Sequence, residues 1–184
     1  INERSPEIRV SVTHLLIKAL GVAMAELPTT NRIWVDDKIL AFNQVDIGMV
    51  TETADGLRVP IIRDAGRRTL KEVAIEARTL ASRAQDDSLT QKEVGGGSVS
   101  ISNVGMFGAS SLIPIINPPQ AMILGVGSEQ ALFRPDAAGH PVLHKEICLT
   151  LACDHRVHDG ADAARLLARL ARILKNPSVS MQTG

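Results

Sequence analysis

The chain has 184 residues, 45% hydrophobic and 22% charged, which suits one globular domain with a real core. Twenty Lys and Arg against twenty Asp and Glu leave no basic excess, which argues against a nucleic-acid binder. No apolar run reaches the roughly 18 residues that a membrane span needs, and an aromatic content of 2% (Trp34, Phe42, Phe107, Phe133, no Tyr) disfavours base stacking and leaves the core to Leu, Ile, Val, Ala and Met.

Residues 1–10 (INERSPEIRV) read as a polar loop without the charged n-region and apolar h-region of a secretory signal. The start at Ile1 rather than Met is that expected of a fragment, a processed piece or a part of something larger. A helix is predicted from about Ser11, because Val12, Leu15, Leu16, Ala19, Leu20 and Ala23 recur at helical spacing until Pro28. "RIWV" and "KILAF" flank Asp36-Asp37 as two short strands around a tight turn. "VDIGMVTET" reads as one strand, Asp55-Gly56 as a turn, and "LRVPIIR" as the returning strand, with Pro60 marking an edge or bulge. "TLKE" at Thr69–Glu72 is a capping box, and Leu70, Val73, Ala74, Ala77, Leu80, Ala81 and Ala84 then make one apolar stripe. A second box, Thr90–Glu93, opens a short turn ended by Gly95-Gly96-Gly97.

"SVSIS" is the next strand, 103–120 is irregular, and "AMILGVG" is a buried strand. "RPDAAGHP" reads as a loop and "VLHKEICLTLAC" as one long strand. The last helix is expected over Ala161–Leu174, stopped by Asn176-Pro177. There is no internal repeat and no strict βαβ alternation. The expected fold is therefore α/β, a two-layer sandwich of an open mixed sheet with helices packed on one face. Cys148 and Cys153 are too few for a disulfide framework and lie on opposite faces of a strand, which suggests a reducing compartment.

Chemistry concentrates in "LACDHRVHDGADAARLL", residues 151–167. Four readings stand side by side. Asp159 can simply cap a helix, with Asp162 adding charge to its first turn and the histidines incidental. Cys153, His155, His158 and Asp159 are of types that bind zinc, although no second ligand pair sits at a recognisable distance. Cys153 and His155 share a strand face as a nucleophile and its base would, although a strand-end Cys is more often core. His155 alone can be a general base held at a sharp turn, its ordinary pKa of about 6.5 being suited to neutral pH.

The same stretch resembles the His-x-x-x-Asp-Gly signature of the dihydrolipoamide acyltransferases, the acyltransferase core of the 2-oxo-acid dehydrogenase complexes, whose fold is shared with chloramphenicol acetyltransferase. "GGGSVSISNVGMFG" at 95–108 and "IINPPQAMILGVG" at 115–127 resemble two further segments of that family, and "VSVTHLLIKALGVAM" and "DGLRVPIIRDA" fall where the family has them. The resemblance covers nearly the whole chain. It implies transfer of an acyl group between dihydrolipoamide and coenzyme A, most closely acetyl, with His155 as the general base, Asp159 holding the turn, and Ser102 donating a hydrogen bond to the tetrahedral oxyanion. Proton transfer from a thiol of pKa about 8.5 to an ordinary imidazole is uphill by about 2.7 kcal/mol, which a catalytic barrier accommodates. Because the acyl donor is already a thioester, no acyl-enzyme is needed.

The resemblance further implies coenzyme A as substrate, a lipoyl group supplied by another domain or chain, and no metal. Its partners would be a lipoyl domain, the dehydrogenase components, and copies of itself in trimers or a larger cage, with no nucleic acid and no membrane. The compartment would be bacterial cytoplasm or mitochondrial matrix. The active site would lie between subunits, and the apolar stretch Met106, Phe107, Leu112, Ile113, Ile115 and Ile116 is the expected interface. Residues 1–184 are expected to form one catalytic domain without the family's preceding strand and helix and without lipoyl or subunit-binding domains, which leaves a non-catalytic scaffold as the alternative. "GGGS" lacks the Gly-Lys-Ser/Thr sequel of a phosphate loop. His158 stands where the family usually has an aliphatic residue and is expected to point to solvent.

Overall fold

The computed structural model describes residues 9–177. Most of the 1–10 segment therefore lies outside the described residues. The first helix, α1 (Val12–Glu26), starts at Ser11, whose Oγ accepts from the His14 amide at 3.3 Å while its own amide donates to His14 Nδ1 at 3.2 Å. A histidine thus fills the third position of a capping box, a place where Glu or Gln is usual. After a single 3-10 turn at Pro28–Thr30 the chain forms the hairpin β1 (Arg32–Val35) and β2 (Lys38–Ala41). Asp36 and Asp37 both have positive φ, 50° and 59°, the backbone that two-residue hairpins with right-handed strand twist require.

The "VDIGMVTET" segment is two strands in two sheets rather than one. β3 (Ile47–Met49) joins the main sheet, while β4 (Thr51–Thr53) pairs with β5 (Gly56–Arg58) in a separate hairpin. The "LRVPIIR" return splits in the same way, with β6 (Ile61–Ile62) lying antiparallel to β3. Pro60 sits between the two pieces, and its carbonyl accepts from the Met49 amide at 2.8 Å. Lacking an N–H, it ends one pairing without leaving an unsatisfied donor.

Helix α2 (Leu70–Gln85) begins at the expected capping box, with Thr69 N donating to Glu72 Oε2 at 2.7 Å, and α3 (Gln91–Val94) is the short turn at the second box. β7 (Val99–Asn103) and β8 (Met122–Val126) enclose the irregular 104–121 stretch. The region read as a loop and one long strand is instead a hairpin, β9 (Gln130–Pro135) and β10 (Pro141–Glu146), followed by a separate strand β11 (Leu149–Cys153). Gly139 makes the tight turn at φ 87°. Helix α4 (Gly160–Lys175) closes the described chain.

The main sheet has the order β11-β8-β7-β3-β6, mixed in direction: β3, β7 and β8 run parallel, and β11 and β6 antiparallel to their neighbours. Its inner face presents Ile47, Met49, Ile62, Val99, Ile101, Met122, Leu124 and Val126 to α1, α2 and α4. Leu16, Leu20, Leu166, Leu170 and Ile173 cover that face from the helices, and each is fully or almost fully buried. Removing each from water is worth about 1.5–3 kcal/mol. Arg169 of α4 pairs with Glu26 of α1 over the rim. A main mixed sheet with its helices on one face is the architecture the sequence suggests, and the β1–β2, β4–β5 and β9–β10 hairpins stand as separate two-stranded sheets.

Candidate active site

The turn 154–159 leaves β11 and enters α4. Asp154 N donates to Ala121 O at 2.8 Å, which ties the turn to the start of β8. The Asp154 carboxylate then accepts from Arg156 three ways, from the backbone N at 3.0 Å, Nε at 3.0 Å and Nη2 at 2.7 Å, while the Asp154 carbonyl accepts from Val157 N and His158 N, both at 3.0 Å. The Arg156 hydrogen bonds hold the Asp154 carboxyl below its usual range. The same guanidinium lies over the Trp34 ring, 5.5 Å from its centroid, so the β1–β2 hairpin supports the turn from outside. Val157 packs beneath, with Ile33 and Ala121. Reasoning from the sequence missed this Asp154–Arg156–Trp34 support. The signal for it is the i, i+2 Asp-x-Arg spacing, which favours an Asx turn.

His155 is at the exposed apex of this turn, and its ring makes no hydrogen bond among the described residues. Among the described residues, no backbone carbonyl therefore fixes its tautomer. Asp159 is the N-cap of α4, accepting from Asp162 N at 2.8 Å. That bond holds its carboxyl below the usual range, and His155 adds to the effect from nearby.

The other two residues of the cluster turn away from His155's side. Cys153 packs against the core, half-buried, and burial pushes its thiol up to about 11. A thiol that stays protonated at neutral pH is a poor nucleophile, so the Cys153–His155 reading does not stand. His158 is buried, 2% exposed, which corrects its expected place in solvent. Three residues past the apex of a turn stacked on β1, its side chain points inward rather than out. Neither ring nitrogen has a hydrogen-bond partner, and burial pushes its pKa down. Among the described residues, no three His, Cys, Asp or Glu side chains converge as metal ligands.

Ser102 lies on β7, on the face away from the helices. Period-2 alternation places Ser98, Ser100 and Ser102 there together. Ser98 Oγ donates to Asn31 Oδ1 at 2.7 Å, and Ser100 Oγ donates to Gln120 Oε1. The Ser102 hydroxyl has no partner among the described residues and opens into a cleft of about 490 Å³ lined by Leu57, Val59, Ile113, Ile115 and Asn117. The 109–117 segment forms the cleft wall because it rests directly on β8: a Cβ at Gly125 would stand 2.9 Å from Leu112 O and 3.0 Å from Pro114 Cδ. Ile113 and Ile115 are 86% and 90% exposed, and Met106 and Phe107 are exposed as well. Most of the apolar stretch expected at an interface is thus uncovered within one chain.

One chain does not bring His155 and Ser102 together. Cys153, Met122 and Val99 stand level across β11, β8 and β7, whereas Ser102 is level with Gly125, toward the other end of the sheet. At about 3.3 Å per residue and about 4.8 Å per strand, Cys153 and Ser102 are roughly 14 Å apart, and His155 lies beyond Cys153. A reacting carbon has to lie about 3 Å from both groups.

Comparison with known proteins follows the same lines. Residues 1–182 match the family described as 2-oxoacid dehydrogenases acyltransferase (catalytic domain). The chain is 37% identical over 175 residues to the dihydrolipoyllysine-residue acetyltransferase component of the pyruvate dehydrogenase complex of Rickettsia bellii, covering 94% of this chain and 41% of that one. It therefore spans about two fifths of that relative's length. Among solved structures, a dihydrolipoamide acetyltransferase of Azotobacter vinelandii, studied for the role of a serine, a histidine and an asparagine in its catalytic mechanism, superposes with TM-score 0.89 at 30% identity, over 96% of this chain and 73% of that one. The cubic core of the pyruvate dehydrogenase multienzyme complex gives 0.89 at 31%, with the same coverage. Chloramphenicol acetyltransferase shares the fold, with TM-score 0.56 at 14% identity over 94% of this chain and 80% of that one.

Proposed function

The chain belongs to the catalytic-domain family of the 2-oxoacid dehydrogenase acyltransferases, and from that premise we propose that it transfers an acyl group, acetyl, between dihydrolipoamide and coenzyme A. His155 takes the proton from the attacking thiol. The sulfur adds to the thioester carbonyl, and the resulting oxyanion accepts a hydrogen bond from the Ser102 hydroxyl. The tetrahedral centre collapses, expels the other sulfur as thiolate, and that thiolate takes the proton back from the imidazolium. Asp159 and the Asp154–Arg156 pair hold the turn in place. Oxyanion donors of this kind are worth about 2.7–4 kcal/mol when preorganised.

The observation behind this reading is an exposed imidazole on a tightly held turn at one end of the sheet and a hydroxyl without a partner among the described residues in an apolar cleft at the other. His155 and Asp159 are four residues apart, as are the histidine and asparagine studied in the Azotobacter vinelandii relative. Ser102 stands 53 residues before His155, against 52 between that relative's serine and histidine.

Separation within the chain favours a site completed by two copies, with His155 from one and Ser102 from its neighbour. The exposed Met106, Phe107, Ile113 and Ile115 are the surface that such a neighbour would cover, and a closed ring of three satisfies it. The similarity to a protein of the cubic core of a multienzyme complex supports self-association. A lipoyl domain and the dehydrogenase components are the remaining partners of this reading.

The cleft beside Ser102 has no ammonium or guanidinium among its lining residues. It suits an uncharged acyl group and the aliphatic lipoyl arm, and it disfavours succinyl, whose carboxylate would be buried without a partner. The test is acyl-coenzyme A formation from acyl-dihydrolipoamide, comparing acetyl, isobutyryl and succinyl donors. Acetyl transfer that drops by several powers of ten in His155→Ala supports the reading. Transfer in that variant within about tenfold of wild type overturns it.

A further inference from the structure

His158 is a buried imidazole with both ring nitrogens unpartnered, and it lies between His155 and the N-cap of α4. A buried polar group normally has a hydrogen-bond partner, and one that lacks it calls for an explanation. The charged groups around it come from three elements. Asp154 lies at the end of β11, Asp162 in the first turn of α4, and Arg32 on β1, whose main chain also approaches the ring without an aligned hydrogen bond. Asp154 is already held by Arg156, and Arg32 opposes a second positive charge. The start of α4 adds the positive end of a helix dipole at the same place.

We propose that His158 is a positioning residue that must be neutral for the 154–159 turn to keep its shape, so that protonation of this ring sets an acid limit on the site. A neutral imidazole fills the volume between β1 and α4 and costs only its unmet hydrogen bonds. An imidazolium there is favoured by Asp162 and Asp154, but Arg165 and Arg156 already hold those carboxylates and burial outweighs both, so the least costly relief is for the turn to open and carry His155 with it.

The sign follows from linkage. Burial lowers the folded-state pKa, so the unfolded or opened chain takes up the proton first as pH falls. The penalty is absent above the ordinary histidine pKa of about 6.5, grows as pH drops below it, and levels off below the depressed folded value. Each unit of depression makes opening about tenfold easier. His14 also has a lowered pKa, from burial first and from Arg78 second, but it is common to wild type and variant and cancels in their difference.

The experiment measures the thermal midpoint and the acyl-transfer rate of the full chain from about pH 8 to about pH 5, for wild type, His158→Val and His158→Leu. The activity arm rests on the proposed acyl transfer, whereas the thermal arm does not. Both variants are expected to lose less stability than wild type as pH falls below about 6.5, and to keep a larger share of their pH 8 rate at the acid end. Two variants of different size guard against a packing defect, which shifts a whole curve without changing its dependence on pH. Parallel stability curves for all three proteins overturn the proposal. Absence of acyl transfer at every pH would instead overturn the functional reading and leave the thermal result to decide this one.

Discussion

Ser100 and Ser102 are two residues apart on one strand face, and their hydroxyls meet different surroundings. The Ser100 hydroxyl is wholly buried and bonds Gln120, whose Nε2 donates in turn to Gly96 O at 3.1 Å. Replacing Ser100 by Ala leaves Gln120 Oε1 without that donor, a loss of about 1–3 kcal/mol of stability. In a chain of this size that lowers the thermal midpoint by about 2–4 °C per kcal/mol. The Ser102 hydroxyl has no partner among the described residues and is half-buried, so Ser102→Ala breaks no hydrogen bond among them. Its midpoint should stay within about 1–2 °C of wild type, in line with a change of about 0.5 kcal/mol or less. Removing one oxyanion donor should lower kcat by about 100- to 1,000-fold. The assay pairs thermal unfolding with acetyl-coenzyme A formation for both variants. A Ser102→Ala enzyme within about threefold of wild-type kcat refutes the oxyanion role, because one preorganised donor is worth far more than that. A midpoint loss matching that of Ser100→Ala refutes the claim that the hydroxyl is free.

At about pH 7.5, iodoacetamide should label exposed Cys148 and spare Cys153, whose thiol burial holds protonated up to about 11; equal labelling rates contradict its burial. Asp159, its carboxyl held low by the Asp162 amide, should contribute stability above the ordinary carboxylate value of about 4 that is lost as pH falls through the depressed folded one. Asn caps helices as well as Asp but does not titrate, so Asp159→Asn should lose less of its thermal midpoint than wild type between about pH 5 and pH 3. Parallel losses would remove the carboxylate from the account.

The helices were legible because their starts and stripes are both written locally. Ser11, Thr69 and Asp159 are caps, and the apolar residues after them recur at one period. The strands were legible as strands but not as pairings. Val50 continues the alternation of "DIGMVTET", so nothing local marks the point where the chain leaves the main sheet. The break is set by the partner strand, where Pro60 cannot donate. The hairpin at 130–146 was hidden because its turn residues looked like a loop and its first strand, "QALFRP", is short and half polar. His155, Asp159 and Ser102 could be read from motif spacing. Their separation could not, because the order β11-β8-β7 sets residues far apart in sequence side by side. The burial of His158 depends on how the turn stacks on β1, a contact between residues more than a hundred apart in the chain.

If one site is built from His155 of one copy and Ser102 of another, mixing the two inactive variants restores it. His155→Ala and Ser102→Ala chains are co-expressed or co-refolded in equal amounts and assayed for acetyl transfer. In a three-membered ring with random mixing, about one quarter of the interfaces hold both intact residues, so activity should return to about one quarter of wild type. Mixtures no more active than either parent, in oligomers shown to contain both chains, contradict a shared site.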